Sequence, residues 1–322
     1  MEEKCRITIL EVMGMFRSDY AIKHNNSPNI EVIKEILSNW VWDDDFTYRY
    51  FLRGVHIKNN ICTYEAYENE MLVGLITAWK SEFHPSCTYF AMITKPHIGI
   101  EIEFVLIEAL HNFKDIELPL QTSIWESSYG LKTFYEEVGF LEVRRTYMPL
   151  LITSKIDFQQ VFPDFNEQDI CIQDINSIFN HKELKFNLIN LVIENYEKSH
   201  TVNPVGVHSF QKWEKLIFNE DTIKSGSFII LKNNEIQAYS LLHSSNTPNQ
   251  FEFGWRGTRE NTDVRLMLVL TASQINFAIE NGVKYIEAEV DSTDYFSVEM
   301  LKFFPFSPAP TLLTVQKRTN ND

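Results

Sequence analysis

The chain reads as two copies of one pattern of strands and helices, and this internal repeat is the feature that most limits how it can fold. The segment LQTSIWESS at 120–128 aligns with YIEAEVDST at 285–293, and VGF at 138–140 aligns with FPF at 304–306. Both matches have an offset of about 165 residues, whereas the units of a solenoid or propeller repeat roughly every 20–50 residues. A period this long predicts two duplicated domains rather than a stacked array.

Each copy has its strands and helices in the same order, as read from the spacing of the apolar residues. The first copy predicts strands at 6–13, 87–96 and 118–127, a hairpin at 62–81, and helices at 28–42, 100–113 and 130–139. The second copy predicts strands at 169–175, 251–258, 284–292 and 311–318, a hairpin at 227–244, and helices at 184–198, 263–282 and 294–304. We therefore expect an α/β (α+β) protein in which each domain has a mostly antiparallel mixed sheet with helices on both faces.

The join between the copies is predicted at 153–168, where the polar stretch TSKIDFQQVFPDFNEQ contains a proline. The first domain is then expected at 1–152 and the second at 169–322. A length of 322 residues is suited to two domains of ordinary size. Apolar residues make up 44% of the chain, which is enough to give each domain a buried core.

The charge balance limits the kind of partner that the chain can bind. There are 29 Lys and Arg residues against 44 Asp and Glu residues, giving a formal charge of −15. A surface of this sign repels phosphate backbones, and we expect no nucleic-acid partner. The four cysteines, at positions 5, 62, 87 and 171, lack the spacing of a zinc site or a disulfide framework, so no bound metal is expected.

The N-terminal segment MEEKCRITIL lacks the basic and apolar regions of a signal peptide. No apolar run approaches the roughly 20 residues of a membrane span. We therefore expect a soluble, cytoplasmic protein with no membrane partner. The sequence indicates no particular oligomeric state.

The order of the elements and two short motifs resemble the GNAT superfamily of N-acetyltransferases. The stretch MLVGLITAWKSEFHP at 71–85 resembles that family's hairpin strand, which often carries a valine-glycine pair. The stretch FYEEVGF at 134–140 resembles its C-terminal signature, an aromatic residue and a tyrosine followed by Gly-Phe. The chain as a whole, over about 6–152 and 169–318, resembles bacterial proteins with two such domains in tandem.

The resemblance implies an enzyme that moves an acetyl group from acetyl-coenzyme A, its cosubstrate, to a primary amine of a small molecule. In that family two central strands separate, and the pantetheine arm pairs with the exposed strand edge. The pyrophosphate binds at the start of the next helix. A general base takes the proton of the ammonium group, and a tyrosine protonates the departing thiolate.

Matching these roles to the first copy gives candidate catalytic residues. Tyr135 occupies the position of the acid, and Glu126, at the end of the strand before it, is the candidate base. The alternatives are a tyrosine that only packs in the core and a carboxylate that is solvated or caps a helix. The second copy has Leu301 at the position of the tyrosine and Pro305 at that of the glycine.

Matching the cosubstrate loops gives candidate binding residues in both copies. They are Ile93, Thr94, Gly99 and Ile100 in the first copy, and Thr258, Arg259 and Arg265 in the second. In the first copy the family's glycine-rich phosphate pattern is replaced, and Glu101 and Glu103 place carboxylates in the first helical turn, where phosphate would bind. In the second copy the two arginines make the loop electrostatically better suited, unless they are ordinary charges at a helix end.

Three functions remain open from the sequence. The first is N-acetyl transfer to a small amine. The second is a catalytically inactive tandem protein that binds a ligand or a partner. The third is transfer from an acyl carrier without the nucleotide part. Glu287, Glu289 and Asp291 alternate along one strand, where they would either attract a cationic amine or form a solvated strand face.

Overall fold

The structure is a computed structural model that describes residues 20–96, 100–157, 161–162 and 170–318. The strand predicted at 6–13 and most of the predicted join lie outside the described residues. The other predicted elements are present, with bounds that differ by a few residues from those expected.

In the first half of the chain, strands alternate with four helices in the described residues. The strands are β1 (Tyr20–His24), β2 (Asn60–Glu68), β3 (Met71–Lys80), β4 (Thr88–Thr94), β5 (Leu120–Trp125), β6 (Leu141–Tyr147) and β7 (Leu150–Ile152). The helices are α1 (Ile30–Trp40), α2 (Asp45–His56), α3 (Glu101–His111) and α4 (Tyr129–Glu137).

The second half of the described chain has a similar order. Its strands are β8 (Cys171–Asp174), β9 (Phe228–Lys232), β10 (Glu235–Ser244), β11 (Gln250–Thr258), β12 (Tyr285–Ala288), β13 (Val290–Asp291) and β14 (Thr311–Lys317). Its helices are α5 (Lys182–Ser199), α6 (Phe210–Ile217), α7 (Arg265–Glu280) and α8 (Tyr295–Phe303).

Both predicted hairpins form, and each turns through two residues with positive φ. Asn69 and Glu70 join β2 to β3 with φ of 46° and 66°, and Asn233 and Asn234 join β9 to β10 with φ of 53° and 63°. Asparagine tolerates this left-handed conformation better than most residues, and two-residue turns of this hand match the twist of the strands. The hairpin predicted at 227–244 is thus confirmed, with its turn at Asn233-Asn234.

The sequence did not predict α2, which covers most of the aromatic run at 39–51. Asp44 caps this helix by accepting a hydrogen bond from the Thr47 amide at 2.9 Å. Phe51 is fully buried on its inner face, in a cluster that includes Trp79 of β3. Part of this run therefore belongs to the hydrophobic core of the first unit.

The described strands form two sheets. One has the order β1-β2-β3-β4-β5-β14-β6-β13, and the other has the order β7-β12-β11-β10-β9-β8. Most neighbours are antiparallel, while β4 with β5 and β11 with β12 are parallel. A mixed, mostly antiparallel sheet was expected for each copy, and the predicted fold class is confirmed.

The chain divides into two compact units that are not continuous in sequence. The first unit comprises Met1–Ile124, Gly130–Leu141 and Val315–Asp322, and the second comprises Trp125–Tyr129 and Glu142–Thr314. The predicted boundaries, 1–152 and 169–322 with a join at 153–168, stay a prediction. The units follow strand pairing: β7 pairs with β12 within the second unit, and Gln316 hydrogen-bonds Gln121 within the first unit at 2.7 Å.

Each unit has its own hydrophobic core. In the first unit, α1 and α2 cover β3 and β4 with Leu37, Phe51 and Trp79 at the centre. In the second unit, α7 and α8 cover β11 and β12 with Met267 and Ile286. Within the described residues no helix is both long and apolar enough to cross a membrane.

Gly54→Ala is expected to lower the free energy of unfolding by about 1–3 kcal/mol, the usual cost of overpacking a core. A Cβ atom on Gly54 would lie 2.5 Å from two ring carbons of the buried Trp79, so α2 would have to move away from β3. Gly130→Ala in α4 is the matched control, since a Cβ there meets nothing within 4 Å and alanine favours the helix. Equal denaturant midpoints for the two variants would contradict this close packing.

Candidate active site

The first unit has an opening between the parallel neighbours β4 and β5. Their backbones pair only at Thr88 with Leu120 and at Tyr89 with Gln121. β4 continues against its antiparallel partner β3 as far as Thr94. Among the described residues, the segment 90–94 therefore has no strand neighbour on its β5 side. An edge of this kind can pair with another extended chain.

Tyr135, the candidate acid, lies on α4 with only 2% of its surface exposed. Its ring packs against Phe90, Phe134 and Phe140 at centroid distances of 5.9, 5.2 and 5.2 Å. Burial, followed by the nearby carboxyl group of Glu103, raises the pKa of Tyr135 well above its usual range. This environment keeps the phenol protonated, as an acid would require. A tyrosine that only packs in the core would have the same environment.

The sequence predicted that Glu103 would face the phosphate site, but its side chain is buried elsewhere. It is 7% exposed, and its Oε1 accepts a hydrogen bond from Thr94 Oγ1 at 2.7 Å. The cause is the packing of α3, whose Ile102 and Leu106 side chains fill the space over Gly74 of β3. This turns Glu103 towards β4, where burial raises its pKa.

The other candidate cosubstrate residues of the first unit are arranged as follows. Ile93 is buried at 5% exposure, and Thr94 is engaged with Glu103. Ile100 precedes α3 without a side-chain cap and is 41% exposed. Gly99 lies outside the described residues. The start of α3 carries Glu101 and Glu103, so its first turn already has negative charge of its own.

Glu126, the candidate base, takes part in an ion pair. Its Oε1 lies 2.5 Å from Nη1 of Arg145, and the Nε of the same arginine lies 2.6 Å from Glu142. Glu126 and Arg145 both belong to the second unit. These contacts give Glu126 a role in joining the end of β5 to β6.

The second unit has an opening of the same kind between β11 and β12. These strands pair from Gln250 with Tyr285 to Phe253 with Ala288. After Ala288 the chain turns to another partner, and Val290 and Asp291 pair with Tyr147 and Thr146 of β6. Among the described residues, β11 therefore has no strand neighbour on that side over 254–258.

Side chains satisfy two carbonyl groups of this open segment. Asn195 of α5 donates from Nδ2 to the carbonyl of Thr258 at 3.2 Å. Arg256 donates from Nη2 to the carbonyl of Gly254 at 3.1 Å and from Nη1 to Thr271 Oγ1 at 2.9 Å. Arg256 is 2% exposed, and burial lowers its pKa to about 9. Thr258, a candidate cosubstrate residue, is thus at the opening, with its carbonyl already bonded.

The two candidate arginines near the start of α7 each have a carboxylate partner. Nη1 of Arg259 lies 2.6 Å from Glu235, and Nη2 of Arg265 lies 2.6 Å from Asp263. The side chains remain 42% and 59% exposed. Surface ion pairs of this type contribute little energy and exchange easily.

A group of titratable side chains that the sequence did not predict as a site lies on the α5 face of this sheet. Burial and then the carboxylates of Glu287, Glu289 and Asp221 raise the pKa of Glu252 to about 7. Burial lowers the pKa of His243, whose residue pairs with Glu252 across β10 and β11. Perturbed groups gathered at one place in a fold are typical of functional sites.

A second part of this group lies at the opening itself, where α5 ends. The Tyr196 ring contacts Trp213 and Trp255 at centroid distances of 5.3 and 5.2 Å and stacks on His200 at 3.8 Å. Burial raises the pKa of Tyr196 above its usual range and lowers the pKa of His200. Asp291 and Arg144, which form an ion pair at 3.0 Å, act electrostatically on both residues.

One signal for this group was present in the sequence. Glu287, Glu289 and Asp291 alternate with the buried residues Ile286, Ala288 and Val290, which belong to the core on the opposite face. The three carboxylates therefore share the α5 face, as the period of two predicts. The histidines gave no comparable signal, since their neighbours come from distant parts of the chain.

Comparison with solved structures identifies the fold. A GCN5-related N-acetyltransferase from Sphaerobacter thermophilus matches with a TM-score of 0.58 at 12% identity, over 93% of this chain and 95% of that chain. A tandem GNAT protein from the clavulanic acid biosynthesis pathway matches with a TM-score of 0.55 at 9% identity, over 93% and 98%. A fungal GCN5-related glucosamine N-acetyltransferase region matches with a TM-score of 0.62 at 8% identity, over 94% of this chain and 38% of its larger protein.

No protein-family model matches the sequence, and no curated protein is similar to it. At these identities the likeness concerns the arrangement of the backbone. The chain has the GNAT acetyltransferase fold, and the predicted resemblance in fold is confirmed.

The raised pKa of Glu252 predicts how stability depends on pH. The folded protein keeps the proton up to about pH 7, whereas an unfolded chain releases it near the ordinary pKa of 4.5. Folding is therefore expected to weaken between about pH 4.5 and 7 through this residue. Glu252→Gln should remove that part of the pH dependence, so the melting temperatures of wild type and variant should agree best at acid pH and diverge towards pH 7.

Glu194→Gln, at an exposed position of α5, is the control for loss of one surface charge. The melting temperatures of wild type and the two variants are measured at several pH values between 4.5 and 8. A constant difference between wild type and Glu252→Gln across this range would mean that Glu252 ionises like a solvated carboxylate.

Proposed function

We propose that the protein is an acyltransferase that moves an acetyl group from acetyl-coenzyme A to a primary amine of a small molecule, and that the second unit carries out the reaction. The observation that carries this proposal is the opening between β11 and β12 with titratable side chains around it. Tyr196 and His200 have perturbed pKa values at this opening, and Glu252 has one in the adjoining part of β11 that still pairs with β12. In the first unit the corresponding opening is lined by the aromatic packing around Tyr135.

The residues of the second unit are suited to the cosubstrate in two respects. The open edge of β11 can take an extended pantetheine chain as an added strand. The first turn of α7 has no acidic residue, while the first turn of α3 has two. Arg259 and Arg265 lie near that turn and can exchange their carboxylate partners for phosphate oxygens.

The reaction needs three things from the protein. The acceptor must lose a proton before its nitrogen can attack the thioester carbonyl carbon. The carbonyl oxygen then gains negative charge, which a backbone amide of the open segment can stabilise. Finally the carbon–sulfur bond breaks, and the thiolate leaves with a proton as free coenzyme A. The protein therefore needs a base close to the open segment of β11.

The charges favour an acceptor that is itself a cation. Glu252, Glu287, Glu289 and Asp291 share the face of the sheet that the acceptor would approach. A primary ammonium group gains Coulomb energy there, and it also gains from the aromatic rings of Tyr196 and Trp255. The formal charge of −15 adds long-range attraction for such an acceptor.

Binding of the cosubstrate is tested by thermal unfolding with acetyl-coenzyme A, coenzyme A and acetyl-pantetheine. At 100 times its dissociation constant a ligand stabilises the folded state by about 2.7 kcal/mol, which raises the melting temperature by several degrees. We expect this shift with acetyl-coenzyme A, followed by release of free thiol when a panel of amines is added. A shift without any thiol release supports the inactive binding protein, and a shift with acetyl-pantetheine alone supports a donor without the nucleotide part.

Tyr135→Phe tests the acid role that the sequence predicts for the first unit. Because we place the reaction in the second unit, we expect turnover to stay within about twofold of wild type. The ring is retained, so the loss of stability should not exceed about 1.5 kcal/mol, the scale of one hydrogen bond. Thiol release and melting temperature are measured on the same preparation. A fall in turnover of roughly 100-fold, the usual scale for a lost acid, would transfer the reaction to the first unit.

A further inference from the structure

A histidine of β10 lies against β11 at the closed end of the opening. This is the end where the last pair of β11 and β12, Phe253 with Ala288, is followed by the open segment 254–258. A Cβ atom placed on Gly254, the first residue of that segment, would lie 2.2 Å from Nε2 and 2.3 Å from Cδ2 of His243. One edge of the imidazole ring therefore covers the backbone of Gly254, in space that only a glycine leaves open.

The ring is on the face of the sheet that an acceptor would approach. Leu242, the residue before it, is buried with Phe253 and Met267 in the core under α7. Successive side chains of a strand point to opposite faces, so His243 is on the α5 face, together with its register partner Glu252. His243 is half-buried, whereas the α7 face is filled by the core. The histidine is therefore on the accessible side of the opening.

The direction in which the donor lies along the open segment follows from the position of its phosphates. β11 ends at Thr258, and α7, whose start is the proposed phosphate site, begins shortly afterwards at Arg265. The nucleotide and the acyl group are at opposite ends of acetyl-coenzyme A. A donor paired with 254–258 therefore has its thioester towards Gly254, where the edge of the His243 ring lies.

The tautomer of His243 follows from its hydrogen-bond partner. Nδ1 lies 3.4 Å from Oγ1 of Thr222. That hydroxyl has one proton, and its other neighbours, the Ile217 carbonyl at 3.0 Å and Asn219 Oδ1 at 2.8 Å, can only accept. Oγ1 therefore accepts from the imidazole, and Nδ1 carries the proton of the neutral ring. The basic lone pair is then on Nε2, which no described residue engages in a hydrogen bond.

The charged groups around His243 come from β11, β12 and the segment before β9. Burial lowers the pKa of His243, Asp221 acts in the opposite direction, and Arg256 lowers the pKa. The ring is therefore neutral at physiological pH. Burial raises the pKa of Glu252 to about 7, and Glu287 lies opposite it on β12. These carboxyl groups, when ionised, stabilise an imidazolium once a proton arrives.

We propose that His243 is the general base of the second unit and that its Nε2 takes the proton from the acceptor ammonium. This inference rests on the proposed acyl transfer and assigns a residue to one of its steps. The R–NH₃⁺ group gives one proton to Nε2, leaving a neutral amine and an imidazolium. The amine nitrogen forms a bond to the carbonyl carbon, the carbon–sulfur bond breaks, and the second N–H proton leaves with sulfur as the thiol. The imidazolium then releases its proton to solvent, so atoms and charge balance.

His243→Gln is the direct test, because glutamine is long enough to place its amide near the position of Nε2 but takes up no proton. With an alkylamine at pH 7 we expect turnover to fall by roughly 100-fold or more, the scale of a lost general base. The rise in the melting temperature with acetyl-coenzyme A should be unchanged, since the donor contacts other groups. His56→Gln, at the exposed end of α2 in the first unit, is the matched control and should turn over like wild type.

The basicity of the acceptor distinguishes a lost base from a structural defect. An alkylammonium group has a pKa of about 10, like that of lysine, so at pH 7 it must lose a proton before it attacks. The loss of turnover in His243→Gln should therefore shrink as the pH is raised towards 10. An aromatic amine is already neutral at pH 7, and with this acceptor the loss should be much smaller. A displaced strand would instead lower turnover by the same factor for both amines.

The pH profile of the protein with its histidine intact adds a test that does not need the variant to fold. Glu252→Gln removes the carboxyl group that titrates in the same range. In this background kcat/KM for the alkylamine should still rise with pH through the ionisation of His243, at a pKa below the ordinary 6.5. A flat profile there overturns the base assignment.

The outcomes separate the inference from the proposed function. Turnover of His243→Gln within about threefold of wild type, in a wild type that releases thiol with an alkylamine, overturns the base assignment and leaves acyl transfer standing. A loss that is equal for both amines and at every pH also overturns it, in favour of a structural role. A loss that shrinks with pH in Glu252→Gln but not in His243→Gln overturns it in favour of Glu252. A wild type that binds acetyl-coenzyme A but acylates no amine overturns both proposals.

Discussion

The second unit depends on a change of partner in one strand. The chain pairs with β11 through Ala288, and two residues later Val290 and Asp291 pair with β6 instead. Those few backbone hydrogen bonds hold β12 and β13 on diverging courses, and the opening beside β11 is the direct result. If β11 and the following strand paired along their whole length, the backbone groups on this side of β11 would all be hydrogen-bonded. No strand edge would then be left for a bound chain.

The open edge has consequences for the side chains around it. Backbone groups that lose a strand partner still need hydrogen bonds, and Asn195 and Arg256 supply two of them at Thr258 and Gly254. Burying the guanidinium of Arg256 for this purpose lowers its pKa to about 9. These two polar side chains of the second unit thus replace part of a missing strand partner.

The sequence predicted those features that depend on neighbouring residues. The hairpin at Asn233-Asn234 combines a turn signal with two alternating strands, and the alternation of Glu287 and Glu289 sets their common face. It did not predict those features that depend on residues far apart in the chain. Glu103 was expected at a phosphate site because it lies in the first turn of α3, but the packing of that helix on Gly74 turns it to Thr94. His200 reads as an ordinary helix-end histidine until Asp291 and Arg144 are placed beside it.

The first unit can be completed only after β14 has been synthesised, because this strand comes late in the chain. Val315–Asp322 belong to the first unit, where Gln316 bonds to Gln121, a residue 195 positions earlier. A ribosome must therefore synthesise the chain as far as β14 before the first unit can acquire this strand, and closing so long a loop is entropically slow. The two units cannot mature strictly in order from the N-terminus, and a nascent chain that stops before β14 presents the unpaired side of β5 to other chains and to chaperones.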